Sequence, residues 1–115
     1  MEFIVEKALS NMPEAEFEAA SQANIKVVGV GGAGNNMVGW LYKKGIKGAE
    51  IIATNTDHQH LNITGADRKY LIGKDCTRGL GCGGFPSKGA EAAQESLIQI
   101  KDSLKESDMV FVCAG

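Results

Sequence analysis

Residues 27–36 read VVGVGGAGNN: an apolar run breaks into Gly29, Gly31, Gly32 and Gly34 and then into Asn35 and Asn36. Where a strand turns into a helix, the first backbone N–H groups of the helix lack intrahelical acceptors and sit beside the positive end of the helix dipole. An anion fits there, phosphate most often. Glycines permit positive φ and remove the Cβ atoms that would hold a phosphate away. Asn35 and Asn36 can donate to phosphate oxygens without adding charge. A second corner of this kind, RGLGCGGFP (78–86), sets Gly79, Gly81, Gly83 and Gly84 immediately before another helix start. Between the two, ATNTD (53–57) runs into a polar corner at Asn55, Thr56 and Asp57.

Two ligand chemistries suit these residues. Gly29, Gly31 and Gly34 satisfy G-x-G-x-x-G, and Asp57 follows about 20 residues on, the arrangement of a dinucleotide fold with the acid on a ribose 2′-OH. A dinucleotide, however, has one pyrophosphate and typically one such loop, whereas a triphosphate has three phosphoryl groups and can use several. Two glycine corners at one sheet edge therefore favour a nucleoside triphosphate, with an NAD(P)-binding module as the alternative. No G-K-[ST] follows the first corner, so the usual P-loop lysine is excluded. Asp57 could equally coordinate Mg²⁺ through water or simply cap a short helix. His58 and His60 stand at i and i+2, on different sides of a helix, and read as solvated polar positions rather than a metal pair.

The elements that must hold these corners alternate in type. IKVVGV (25–30) is a short, β-branched, buried strand. Met37, Val38 and Leu41 give a helical face that ends near Gly45, with Lys43 and Lys44 in the last turn. AEIIATNTD (49–57) is a second strand, HQHLNITGAD a short helix or loop, and KYLIG (69–73) a third strand. After the second glycine corner, Ala93, Leu97, Ile100 and Leu104 form one stripe of a single amphipathic helix, and DMVFVCA (108–114) closes as a fourth strand. Strands alternating with helices mean right-handed crossovers, a parallel sheet and an α/β, Rossmann-like fold. Residues 1–24 are acidic and helix-prone and form a separate N-terminal arm, leaving 25–115 as the nucleotide-binding unit.

Composition bounds the rest. The 115 residues are 43% hydrophobic and 23% charged, with a net charge of −2, which suits a globular domain and not a nucleic-acid surface. No apolar run reaches the roughly 18 residues of a membrane span, so direct membrane insertion is not expected. Cys76, Cys82 and Cys113 are odd in number and lack C-x-x-C spacing, which points to a reducing cytoplasm and to no protein-held metal. The sequence stops at MVFVCAG, where an apolar strand meets a glycine, and this reads as a domain that continues beyond Gly115.

In their order, IKVVGVGGAGNNMV, ATNTDHQHL, LIGKDCTRGLGCGGFP and SDMVFVCAG resemble the FtsZ family of tubulin-like cell-division GTPases, in an archaeal-type variant. The resemblance covers about residues 25–115 and stops before the family's GGGTGTG signature loop, into which Gly115 would lead. It implies a GTP/GDP site whose first phosphate loop is Gly31, Gly32, Ala33, Gly34, Asn35 and Asn36. Ala33 stands where many members have glycine. The second loop is Asn55, Thr56 and Asp57, near the γ-phosphate and its Mg²⁺ ion, and the third is Gly81, Cys82, Gly83 and Gly84. Gly39-Trp40 replaces a polar pair common in the family, and glycine inside the helix should soften it. In the family the acids that activate water come from the next subunit of the filament, so no residue of this chain is assigned as catalytic. The resemblance further implies strand order 3-2-1-4, a cytoplasmic place at mid-cell, a cytokinetic ring of filaments, and other cell-division proteins as partners. With the fourth strand, Met109–Cys113, at one side and without prolines or charges to guard it, dimers or oligomers through that edge are expected.

Overall fold

The computed structural model describes residues 23–115, so all but the last two residues of the expected N-terminal arm lie outside the described residues. Four strands, β1 (Ile25–Val30), β2 (Ala49–Asn55), β3 (Arg68–Leu71) and β4 (Met109–Ala114), form one parallel sheet in the order β3-β2-β1-β4. This is the expected α/β architecture. Each strand except β4 leads into a helix: α1 (Gly31–Lys44) after β1, α2 (His58–Ile63) after β2, and α3 (Lys74–Thr77) after β3. A glycine loop then precedes α4 (Pro86–Glu95), followed at once by α5 (Leu97–Ser103) and β4.

In-register pairing places Val27 beside Ile51 on one side and Phe111 on the other. Side chains alternate across a strand, so Val27, Ile51, Ala53, Phe111 and Cys113 share one face. That face receives Val38 and Leu41 of α1 and Leu61 of α2, and these residues make the core. Full burial of each large aliphatic side chain contributes about 1.5–3 kcal/mol. Gly45 ends α1 in the left-handed region at φ 76°, returning its N–H to the Leu41 and Tyr42 carbonyls. Gly39 does not interrupt the helix, which runs unbroken through it.

The structure departs from expectation in three places. The stripe Ala93–Leu97–Ile100–Leu104 does not lie on one helix, because the chain breaks between α4 and α5 at Ser96. Ser96 turns its hydroxyl to the Gly73 N–H at 2.9 Å, and the residues fully buried on this segment are Ala92 and Ser103. Leu97 stays partly exposed and Ile98 is 83% exposed. Second, α3 forms between the expected third strand and the expected glycine loop, over residues to which no element was assigned. Its free N-terminal donors, Asp75 N and Cys76 N, are taken by the carboxylate of Glu95, about 20 positions away in sequence, at 3.1 and 3.0 Å.

Third, β1 is not uniformly apolar. Lys26 is 7% exposed, and its ammonium donates to the carbonyls of Ser103 at 2.8 Å and Lys105 at 3.1 Å. These are orphan acceptors at the C-terminal end of α5, where a cation is favoured by the helix dipole. Lys26 thus fastens the α4–α5 layer to the central strand. Lys26→Met keeps the stem's volume and removes both hydrogen bonds. It should lower unfolding free energy by about 1.5–3 kcal/mol, read as a shifted urea midpoint with an unchanged slope.

Candidate functional site

The C-terminal ends of the strands gather the three predicted loops. At the first, Gly31 takes φ 74°, which turns the chain from β1 into α1. Val30 in the N-cap position has no side chain that can cap, so the first-turn N–H groups face outward without a side-chain acceptor. Gly32, Ala33 and Asn36 are exposed. The other glycines of the fingerprint do different work. A Cβ on Gly29 would meet Asn35 Oδ1 and Val38 Cγ2, each at 2.6 Å, and a Cβ on Gly34 would collide with the carbonyl oxygen of Cys113 in β4. Gly29 and Gly34 therefore serve the close packing of α1 on the sheet.

Asn35 belongs with them. It is 1% exposed, and its Nδ2 donates to the Thr54 carbonyl of β2 at 2.9 Å. Thr54 in turn donates from Oγ1 to the Gly29 carbonyl at 2.8 Å. The expectation that Asn35 offers its side-chain amide to a phosphate is corrected: the side chain is buried and turned to the sheet, where its amide donates to Thr54. Any contribution of Asn35 to an anion is through the backbone.

The second loop folds over the end of β2. Asp57 caps α2, its Oδ1 accepting from His60 N at 3.1 Å, so the capping role weighed from sequence is the one seen. Asn55 Oδ1 accepts from Asp57 N at 3.1 Å. His60 corrects a second expectation. It is half-buried rather than solvated, with Nδ1 3.2 Å from Asn55 Nδ2 and Nε2 3.1 Å from Asn36 Oδ1. His58 and Gln59 are exposed, as expected.

The third loop lies against the second. His58 N donates to the Gly79 carbonyl at 2.9 Å and Gly81 N to the Thr56 carbonyl at 3.2 Å, with Asp57 and Leu80 forming an isolated antiparallel bridge. Cys82 Sγ sits 3.3 Å from Thr56 Oγ1. Gly81, Gly83 and Gly84 all hold positive φ, from 61° to 85°, so the loop presents backbone where other residues would present side chains. It runs into α4, where Pro86 occupies the first turn and the N-cap residue, Phe85, offers no side-chain acceptor. Burial raises the thiol pKa of Cys76, with Glu95 and Glu91 adding to the effect, and burial alone raises that of Cys113. These two thiols are held in their less reactive, protonated form.

Gly115 completes the grouping. A Cβ built on it would lie 2.6 Å from the Ala33 Cβ, so the chain leaving β4 passes beside the first loop. The structure thus brings Gly31 to Asn36, Asn55 to Asp57, Gly81 to Gly84 and Gly115 to one edge of the sheet. Sequence reasoning missed His60, whose only signal was its place three residues after a capping aspartate. It also missed Thr54, which looked like one more β-branched strand residue.

Comparison with known proteins agrees with this geometry. The family model for the GTPase domain of the Tubulin/FtsZ family matches residues 24–115. Cell division protein FtsZ 1 of Methanocaldococcus jannaschii is 53% identical over 100 residues, which is 87% of this chain and 28% of that protein. An empty FtsZ dimer structure from M. jannaschii superposes with a TM-score of 0.81 at 48% identity, over 99% of this chain and 32% of that one. A GTPγS-bound protofilament structure of CetZ2 from Haloferax volcanii gives 0.68 at 25% identity, over 80% and 30% respectively. The chain spans about a third or less of the length of these relatives.

The glycines of the first corner should separate by role. Gly34→Ala drives a methyl group into the β4 backbone and should cost at least about 2 kcal/mol. Gly32→Ala meets nothing closer than His60 Cε1 at 3.5 Å and should leave the thermal midpoint within a few degrees of the parent. Melting both variants by circular dichroism checks this; equal midpoints would remove Gly34 from the packing role given to it.

Proposed function

The chain belongs to the Tubulin/FtsZ family, within its GTPase domain, and from that premise we propose that residues 25–115 form the phosphate-holding part of a GTP site in a cytoplasmic cell-division protein. The complete protein would hydrolyse GTP and polymerise into the ring that constricts dividing cells. The observation that carries this reading is the convergence of three loops rich in glycine and short polar residues on one edge of the parallel sheet, tied together by backbone hydrogen bonds. Outward N–H groups of Gly31 to Ala33, the Asn36 amide and the loop Gly81–Gly84 would share the charge of a polyphosphate among several neutral donors. Asn55 and Asp57 border the same edge.

Among the described residues there is no group of three or more His, Cys, Asp or Glu that could hold a metal ion. A Mg²⁺ ion would therefore arrive on the phosphate oxygens of GTP, where it neutralises charge, and Asp57 is the nearest acid of the three loops to serve it through water. No catalytic residue is assigned to the described residues. The dinucleotide alternative draws no support from the family match, and one oxygen of the Asp57 carboxylate that it needs for a ribose is already used to cap α2. No helix among the described residues is long and apolar enough to cross a membrane.

Self-association is part of the same proposal. Among the described residues β4 has a strand neighbour on one side only, and Met109 and Val112 are 47% and 65% exposed. A row of unpaired N–H and C=O groups beside apolar side chains is a template for a further strand. We expect the 115-residue chain to sediment at micromolar concentration as a dimer or larger species, with Val112→Lys shifting it toward monomer. A parent chain that stays monomeric sinks the edge-pairing claim.

Titration separates the ligand readings. The isolated chain should bind GTP more weakly than micromolar and nearly as well as ATP, because its donors address phosphate and not the base. Chemical-shift changes should concentrate on the amides of Gly31–Asn36 and Gly81–Gly84. Preferential binding of NAD would favour the dinucleotide alternative, and a response confined to other amides would remove these loops from the site.

A further inference from the structure

The two rings of the His58–Gln59–His60 segment differ sharply in surroundings, and only one of them sits between two of the loops. His58 is exposed, and its ring meets Asn62 of its own helix at 3.5 Å. His60 connects the second loop to the first through both ring nitrogens. The direction of each bond follows from donor and acceptor chemistry. Asp57 N is a backbone N–H and can only donate, so the Asn55 atom that receives it is Oδ1. Asn55 therefore presents its amide Nδ2 to His60 Nδ1, and Nδ1 must be the acceptor. A neutral imidazole with an unprotonated Nδ1 carries its hydrogen on Nε2. Nε2–H then donates, and the Asn36 atom 3.1 Å away must be Oδ1.

The relay runs in one direction: Asp57 N–H to Asn55, Asn55 to His60, His60 to Asn36. Its last member is exposed on the second turn of α1, with its carbonyl oxygen fixed and, among the described residues, both Nδ2 protons left for a further acceptor. The ring is seated as well as bonded. A Cβ on Gly32 would lie 3.5 Å from His60 Cε1 and 3.7 Å from Nδ1, so the imidazole packs against the backbone of the first loop. His60 N is fixed by the cap on Asp57, and the Thr64 hydroxyl donates to the His60 carbonyl at 2.8 Å.

We infer that His60, as the neutral Nε2–H tautomer, is a positioning residue that locks the second loop to the first and turns the Asn36 carboxamide so that its N–H₂ group, and not its oxygen, meets an acceptor atom of the bound nucleotide. This rests on the GTP-site reading for its ligand, but not for its tautomer. An unconstrained asparagine side chain would present oxygen or nitrogen alike, and an oxygen facing an acceptor atom is repelled. A ring protonated on both nitrogens sets Nδ1–H against the Asn55 amide and breaks the relay at its middle. A glutamine at this position could replace the imidazole, accepting with Oε1 from Asn55 and donating with Nε2 to Asn36. A leucine could do neither.

Long-range ¹H–¹⁵N spectra of the imidazole rings test the first half on the 115-residue chain without ligand, with His58→Gln used to assign the two rings. The expected spectrum has His60 Nε2 protonated and Nδ1 bare at neutral pH, and an Asn36 side-chain amide signal that moves in His60→Leu and returns toward its parent position in His60→Gln. GTP titration of the same three proteins tests the second half. His60→Leu should weaken binding by roughly three- to tenfold, with His60→Gln recovering most of the loss while thermal midpoints stay close. An Nδ1–H tautomer, or an Asn36 amide indifferent to residue 60, overturns the inference. The expected spectra in a parent chain that does not respond to GTP would instead overturn the ligand reading and leave the His60 relay standing.

Discussion

Everything at the functional edge depends on how closely one helix lies on the sheet. At Gly34, α1 comes so near β4 that even a methyl group would strike the Cys113 carbonyl. At Gly29, the strand gives up its own side chain to make room for Asn35 and Val38. Backbone on backbone at this range fixes where the first turn of α1 points, and hence where its free N–H groups are aimed. It also links the two halves of the unit. The first corner is thus packed directly on β4, although β4 lies some 80 residues later in the chain.

Such close approach leaves little room for side chains, and the interior is held there by polar groups bonded to backbone. Asn35 reaches across to Thr54, Thr54 reaches to Gly29, and Lys26 reaches out of the opposite face to the end of α5. Not every group is satisfied: Asn35 Oδ1 lies over Gly29 with no hydrogen-bond partner among the described residues. A buried acceptor left this way costs about 1–3 kcal/mol. That cost comes with the same missing Cβ that lets helix and strand touch.

How legible this was in the sequence depended on how local each cause is. Strand β1 and helix α1 were readable because β-branched residues, helical spacing and Gly45 act over a few positions. Strand order followed from alternation of strands and helices together with the family resemblance. The break at Ser96 was not readable, since the hydroxyl that marks it answers a backbone N–H at Gly73. Nor was α3, whose N-terminus is satisfied by Glu95 from a different helix. At the site the glycines announced a corner but not their separate duties: the conformation of Gly31 is local, whereas the partner of Gly34 is a carbonyl on another strand. The inward turn of Asn35 and the bridging place of His60 likewise came from contacts 19 and 24 residues apart.

Glu95 and Ser96, at the junction of α4 and α5, grip the peptide chain at Gly73, Asp75 and Cys76, where the third loop is entered. The loop leaves by running directly into α4, the same helix that carries the grip. Entry and exit are therefore fastened to the same helix, while the Gly79–Gly84 tip between them is held to the second loop through Gly79 and Gly81. Lys26 anchors the far end of the adjoining helix to the central strand. One helical layer thus holds both the central strand and the loop that borders the site.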